Sequence, residues 1–217
     1  MSISQFLNEL FLDALGETLY MTLVPTLVAT IIGFIMAIIL VQTKPNGLSP
    51  NKTLNSIVGF IVNILRSFPF IILMIAIMPL TRFIVGTNIG ETAAIVPITI
   101  GSAPFIARVI ESALNEVDEG LIEAAKSFGA TKSQIIFKVM IKEAMPSIVS
   151  GITLSIISIL GCTAMAGTVG AGGFGKVAMV YGYQRFDDNV MLYTVIALAI
   201  LVQIIQSLGN LLYKKLK

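Results

Sequence analysis

No charged side chain occurs between Thr18 and Thr43, nor between Ala144 and Gly175. Thr92–Ala107 and Asn189–Tyr213 are also free of charge, and from Thr53 to Thr81 the only charge is Arg66. A helix crossing the hydrocarbon core of a bilayer needs about 20 mostly apolar residues, and each long run can supply one. Over all 217 residues, 56% are hydrophobic and only 12% charged, against roughly 25% charged in an average soluble protein. So few charges cannot cover so much apolar surface in water. The sequence predicts an all-α integral membrane protein.

The same counts exclude whole classes of chemistry. The chain has no histidine, so His-based zinc sites, Ser-His-Asp triads and His-ligated haem are impossible. Cys162 is the single cysteine and allows no intrachain disulfide. A net charge of +2 is too small to point to nucleic acid. The first 43 residues contain no Lys or Arg, so no basic n-region of a signal peptide is expected. No metal site, cofactor or catalytic residue is predicted.

Five spans follow, near residues 18–43, 54–80, 90–110, 145–167 and 189–213, forming one transmembrane domain over 1–217. An odd number places the termini on opposite sides. Lys44, Lys52, Lys126, Lys132, Lys138, Lys142, Lys214, Lys215 and Lys217 fall on one side, with Arg108 at a span end, against Arg82, Lys176 and Arg185 on the other. Basic residues accumulate on the cytoplasmic side. The N-terminus is therefore expected outside and the C-terminus in the cytoplasm. Phe6, Leu7, Leu10, Phe11, Ala14 and Leu15 recur at helical spacing ahead of the first span. They predict either a short helix in the outer interface or an amphipathic lead-in to the span.

The loop 111–143, between spans three and four, is too long for a turn and too short for a catalytic domain. Leu121, Ala124, Ala125 and Phe128 share one helical face. Gly129 suits the left-handed residue that ends a helix, and Thr131-Lys132-Ser133-Gln134 restarts one as a capping box. Ile135, Ile136, Val139 and Met140 then form a second apolar stripe, up to Pro146 at the entry to span four. Two short cytoplasmic helices are predicted. By pattern alone they either dock in a partner's groove or lie on the membrane surface.

Glu123-Ala124-Ala125, three further residues, then Gly129-Ala130 resembles the EAA loop of permease subunits of ABC importers. The family motif usually ends in Leu or Ile followed by Pro; this chain has Ile141-Lys142, with its proline at Pro146. Arg66–Ile72, Thr81–Thr87, Ala103–Arg108, Val169–Gly175 and Tyr181-Gly182-Tyr183 are similar to the methionine-importer branch, so the resemblance covers essentially the whole chain. It implies a permease in the bacterial cytoplasmic (inner) membrane that moves an amino acid, methionine first among them, by alternating access. It further implies a homodimer, two separate ATP-hydrolysing subunits on the loop helices, and an external substrate-binding lipoprotein. Glu123, Ala124, Ala125 and Gly129 would form the coupling element. A permease for another amino acid or small peptide, and a gradient-driven secondary transporter, are the alternatives. The second would favour ionisable residues at mid-span and internal repeats, and neither pattern is evident.

Gly170–Lys176 spells GxxxxGK, but Val177 stands where a phosphate-binding loop needs Ser or Thr, and no strand precedes it. A tight external loop is expected instead. Gly167, Ala171 and Gly175 are spaced for close helix approach, if that stretch is helical. Pro25, Pro69, Pro79, Pro97 and Pro104 lie inside the spans and free backbone carbonyls that must find protein or water. Arg66 inside a span costs at least about 2.5–3.5 kcal/mol unless paired or hydrated, so it faces the bundle interior or reaches for the interface. Arg66, Ser67, Ser102, Thr163 and Met165 are the candidate translocation-path residues. For Met165, contact with an apolar cargo and ordinary packing are both open.

Overall fold

The computed structural model describes residues 1–217, and all of its regular structure is helical. Helix α1 runs from Ile3 to Thr43 without a break. A capping box of Ser2 and Gln5 starts it, and one π turn lies at Leu7–Phe11. The amphipathic stretch at the N-terminus is thus the first part of α1 and not a separate helix. Nothing between Phe11 and Thr18 ends a helix, since a lone Gly16 costs only about 1 kcal/mol. Its apolar face is covered by protein: Phe6 and Ala14 pack against Phe174, Val177 and Val190.

The second apolar stretch is three helices, α2 (Lys52–Ser67), α3 (Phe70–Ala76) and α4 (Met78–Val85). The axes of α2 and α3 differ by 104°. Pro69 is the cause. It has no N–H to donate and drives the preceding residue out of the helical region, and Phe68 accordingly has φ −79° and ψ 131°.

Helix α5 (Glu91–Asn115) is the centre of the molecule. In its most apolar stretch 61% of residues are buried, against 11% in the last helix, α9 (Asp188–Leu216). Helix α6 (Glu119–Ser127) is short, and α7 (Lys132–Gly167) is long. The second loop helix is therefore continuous with the fourth apolar stretch. Pro146 sits inside it and marks no boundary, because proline with no accompanying turn former bends a helix without ending it. Helix α8 (173–184) and the turn before α9 complete the chain.

Helix α1 packs along α5, and α7 packs against both α5 and α9. The core joins Met21, Ala29 and Ala37 of α1 to Ile98, Ile106 and Ile110 of α5 and Ile135, Met140 and Ile159 of α7. Outside it, Leu23, Leu27, Ile31 and Ile35 on α1 and Ile196, Ile200, Ile204 and Leu208 on α9 are exposed rows at four-residue spacing. Rows of this kind need lipid or another protein against them. Four helices, α1, α5, α7 and α9, are long and apolar enough to cross a membrane, and the bent pair α2–α3 makes five if it counts as one crossing.

Candidate functional site

Helix α6 is built by local signals at both ends. Asp118 caps its start, the side chain accepting the N–H of Gly120 at 2.6 Å. At its end the N–H of Ala130 donates to Ala125 O and that of Gly129 to Lys126 O, the paired pattern of a Schellman motif. Gly129 has φ +77°, a value that strains any residue with a Cβ. The chain then turns directly into α7, where Thr131 and Gln134 form the capping box.

This geometry divides the predicted helical face. Ala125 and its neighbour Ile122 turn inward and pack against the core. Leu121, Ala124 and Phe128 turn outward, with Phe128 91% exposed. Glu123 is also exposed and makes no ion pair. Of the stripe that follows, Ile135, Ile136 and Met140 are buried and Val139 half-buried.

The loop is pinned from the other side. Lys44 donates to Asn115 Oδ1 at 2.7 Å and Lys132 to Ser49 Oγ at 2.8 Å, tying the turn after α1 to both ends of the 116–131 segment. Between them lies a groove of about 280 Å³, with Lys44, Glu119, Glu123 and Lys126 on its walls. Nearby, the Arg108 guanidinium donates to Glu111 at 2.7 Å and to Asn63 Oδ1 at 2.8 Å, joining α2 to α5.

A second feature sits at the break after α2. A cavity of about 230 Å³ is lined by Arg66 and Phe68 beside the break, Phe70 and Leu73 of α3, Ser102 and Phe105 of α5, and Ser155, Ser158, Ile159 and Cys162 of α7. Arg66, exposed at the end of α2 and not turned into the bundle interior, and Ser102, buried on α5, thus line one cavity. The other candidates do not: Ser67 is exposed and donates to Asn63 O. Thr163 is buried and donates to Leu160 O, and Met165 is half exposed near the end of α7. Ser155, Ser158 and Cys162 were not among the path candidates, although their spacing of three and four puts them on one helical face.

At the far end of the bundle the GxxxxGK segment has its own occupant. Glu17 Oε2 accepts the N–H of Gly173 at 2.5 Å, and Thr18 Oγ1 accepts the N–H of Phe174 at 2.9 Å. The donors a phosphate would need are filled by side chains of α1. Gly167, Ala171 and Gly175 do not share a helix, because 168–172 is a turn. The close approach comes from the fold-back: a Cβ on Gly175 would lie 2.2 Å from Ala164 O. The turn before α9 is fixed by Asp187, which caps the helix through the N–H groups of Asn189 and Val190 and pairs with the Met1 ammonium at 2.6 Å. That ammonium, then the Val190 N–H, hold the Asp187 carboxyl below its ordinary value of 3.8.

An all-helical bundle with lipid-ready faces and a pinned, outward-facing loop helix is an integral membrane subunit built to engage other chains. The chain belongs to the family described as binding-protein-dependent transport system inner membrane component, whose model matches residues 29–217. It is 51% identical over 208 residues to the probable D-methionine transport system permease protein MetI of Vibrio cholerae, covering 96% of this chain and 92% of that one. It is 52% identical over 200 residues to the methionine import system permease protein MetP of Bacillus subtilis, covering 92% and 90%. A crystal form of the inward-facing MetNI methionine ABC transporter matches with a TM-score of 0.96, 43% identity and full coverage of both chains.

Proposed function

We propose that this chain is the permease subunit of a methionine importer, driven by a separate ATPase and working by alternating access. The observation that carries the reading is the exposed face of α6, with Leu121, Ala124 and Phe128 outward and Ala125 and Ile122 anchored in the core. A helix rigidly joined to the central bundle and bare on its other side can pass a partner's motion to the spans. The small side chain of Ala124 permits close backbone approach, and Glu123 supplies register. The methionine relatives support the cargo.

In this reading two copies of the chain form the pathway, and one ATPase subunit docks on the α6 of each. An external substrate-binding lipoprotein delivers the amino acid. The chain crosses the bacterial cytoplasmic membrane five times, near 18–43, through the broken α2–α3 segment, and near 90–110, 145–167 and 189–213. Its N-terminus is outside and its C-terminus inside, as the lysine distribution supports. ATP binding draws the ATPase dimer together, the docked helices follow, and the paired bundles open outward; hydrolysis resets them.

The test is a mild-detergent pull-down of the tagged chain from native membranes, with mass spectrometry of its partners. A co-purifying P-loop ATPase that is lost in an Ala124→Trp variant supports the docking role, and uptake of methionine against other amino acids then reads the cargo. Recovery of the chain alone, under conditions that keep other complexes intact, would count against it.

A further inference from the structure

We infer that the cavity at Arg66 is an oxyanion site that holds the α-carboxylate of a single amino acid in transit, an inference that rests on the importer reading above. The guanidinium of Arg66 is the only charge lining this cavity, and no carboxylate pairs with it. Arg66 is exposed in the last turn of α2, so its guanidinium, which cannot lose its proton, stands at the open side of the cavity and is free to take an anion there. Its planar fork of N–H donors matches a carboxylate with two parallel hydrogen bonds.

A second group points the same way. Ser102 is 8% exposed, lines the cavity from α5, and its hydroxyl has no hydrogen-bond partner in the protein. The hydroxyl oxygen is accessible rather than sealed in the core, so it can bond what enters. Phe70, Leu73, Phe105 and Ile159 add apolar lining that suits an uncharged side chain. The volume of about 230 Å³ lies below the roughly 300–1,000 Å³ of drug-sized pockets. A space of this size admits one amino acid.

The arrangement also depends on the break at Pro69. A straight helix would carry Phe70 and Leu73 onward along the α2 axis, away from Ser102. The 104° turn redirects α3 so that Phe70 and Leu73 line the cavity together with Ser102, while Arg66 stays exposed at its open side.

Cys162, the chain's only cysteine, lines the same cavity and serves as a native reporter. The experiment uses the complete transporter, with ATPase and binding protein, and follows N-ethylmaleimide labelling of Cys162 by intact mass. Methionine should slow labelling at least about threefold, whereas methioninamide, which lacks the carboxylate, should not. Arg66→Gln should abolish the protection and Arg66→Lys should retain part of it. In proteoliposomes, uptake normalised to assembled complex should fall at least tenfold in Arg66→Gln and less in Arg66→Lys.

Protection by another amino acid and not by methionine, still lost in Arg66→Gln, would overturn the cargo while supporting the carboxylate site. Protection by added phosphatidylglycerol and by no amino acid would assign the site to a lipid phosphate and overturn the inference. Unchanged uptake in Arg66→Gln would overturn it as well, whether or not Cys162 reacts.

Discussion

The carboxylate of Glu17, on the first helix, caps the backbone N–H of Gly173 at a distance of 156 residues along the chain. With Thr18 on the N–H of Phe174, it closes the start of α8 onto α1. The glycine-rich segment that spells a phosphate loop is therefore an internal anion site, already filled.

Replacing Glu17 by Ala should leave the Gly173 donor without its partner and cost on the order of 1–2 kcal/mol. The purified chain should unfold several degrees lower, as circular dichroism would show. Lys176→Ala should leave the melting temperature unchanged, because Lys176 is exposed and unpaired. Neither variant should alter ATP binding to the chain, which is expected to be nil; measurable nucleotide affinity lost in Lys176→Ala would reverse this assignment.

Ala124 and Ala125 should separate by phenotype. Ala125 is packed against the core, so Ala125→Leu overfills it and should cost about 1–3 kcal/mol, visible as a lower melting temperature. Ala124 is exposed, so Ala124→Leu should melt as the parent does yet retain less ATPase subunit on co-purification. Equal effects on both measurements would contradict the division of this face.

Gly129 ends α6 at φ +77°, where a Cβ costs about 1–2 kcal/mol. Gly129→Val should loosen the junction between α6 and α7 and lower transport per ATP hydrolysed, while Gly129→Asn, which tolerates that conformation, should be milder. Limited proteolysis at 127–132 gives the structural readout. A valine variant with unchanged cleavage and coupling would show that the turn is not strained.

Asp187 predicts a pH effect at the end of the bundle away from α6. Its carboxyl is held below 3.8 in the fold, so its contribution is complete above that ordinary value and is lost as pH falls through the lowered one. Thermal melts of the parent should drop more steeply than those of Asp187→Asn as pH is taken below about 4. Parallel curves would mean the carboxylate is not the group that titrates.

Several elements were legible from spacing alone. The charge-free runs became helices, a short helix formed at Glu119–Ser127 and ended at Gly129 although its apolar face is divided, and the Thr131–Gln134 capping box formed as written. These depend on residues three to five apart, and such neighbours meet whatever the rest of the chain does. The path candidates fared unevenly for the opposite reason. Ser102 and Arg66 share a cavity, but Ser67 and Thr163 spend their hydroxyls on their own helices, at Asn63 O and Leu160 O. A serine or threonine reads the same in a sequence whether it back-bonds or faces a void.

By itself the sequence determined a helical membrane protein, the family resemblance in the loop, and the local caps at Gly129 and Thr131, because solvent and nearest neighbours impose these one segment at a time. Only the tertiary structure decided that α3 turns sharply away from α2 beside Arg66, that Ala125 turns inward while Ala124 faces out, and that Glu17 fills the glycine loop at Gly173. Each of these joins segments far apart in the chain, and the direction of a bend or the choice of a buried face is set by what packs against it.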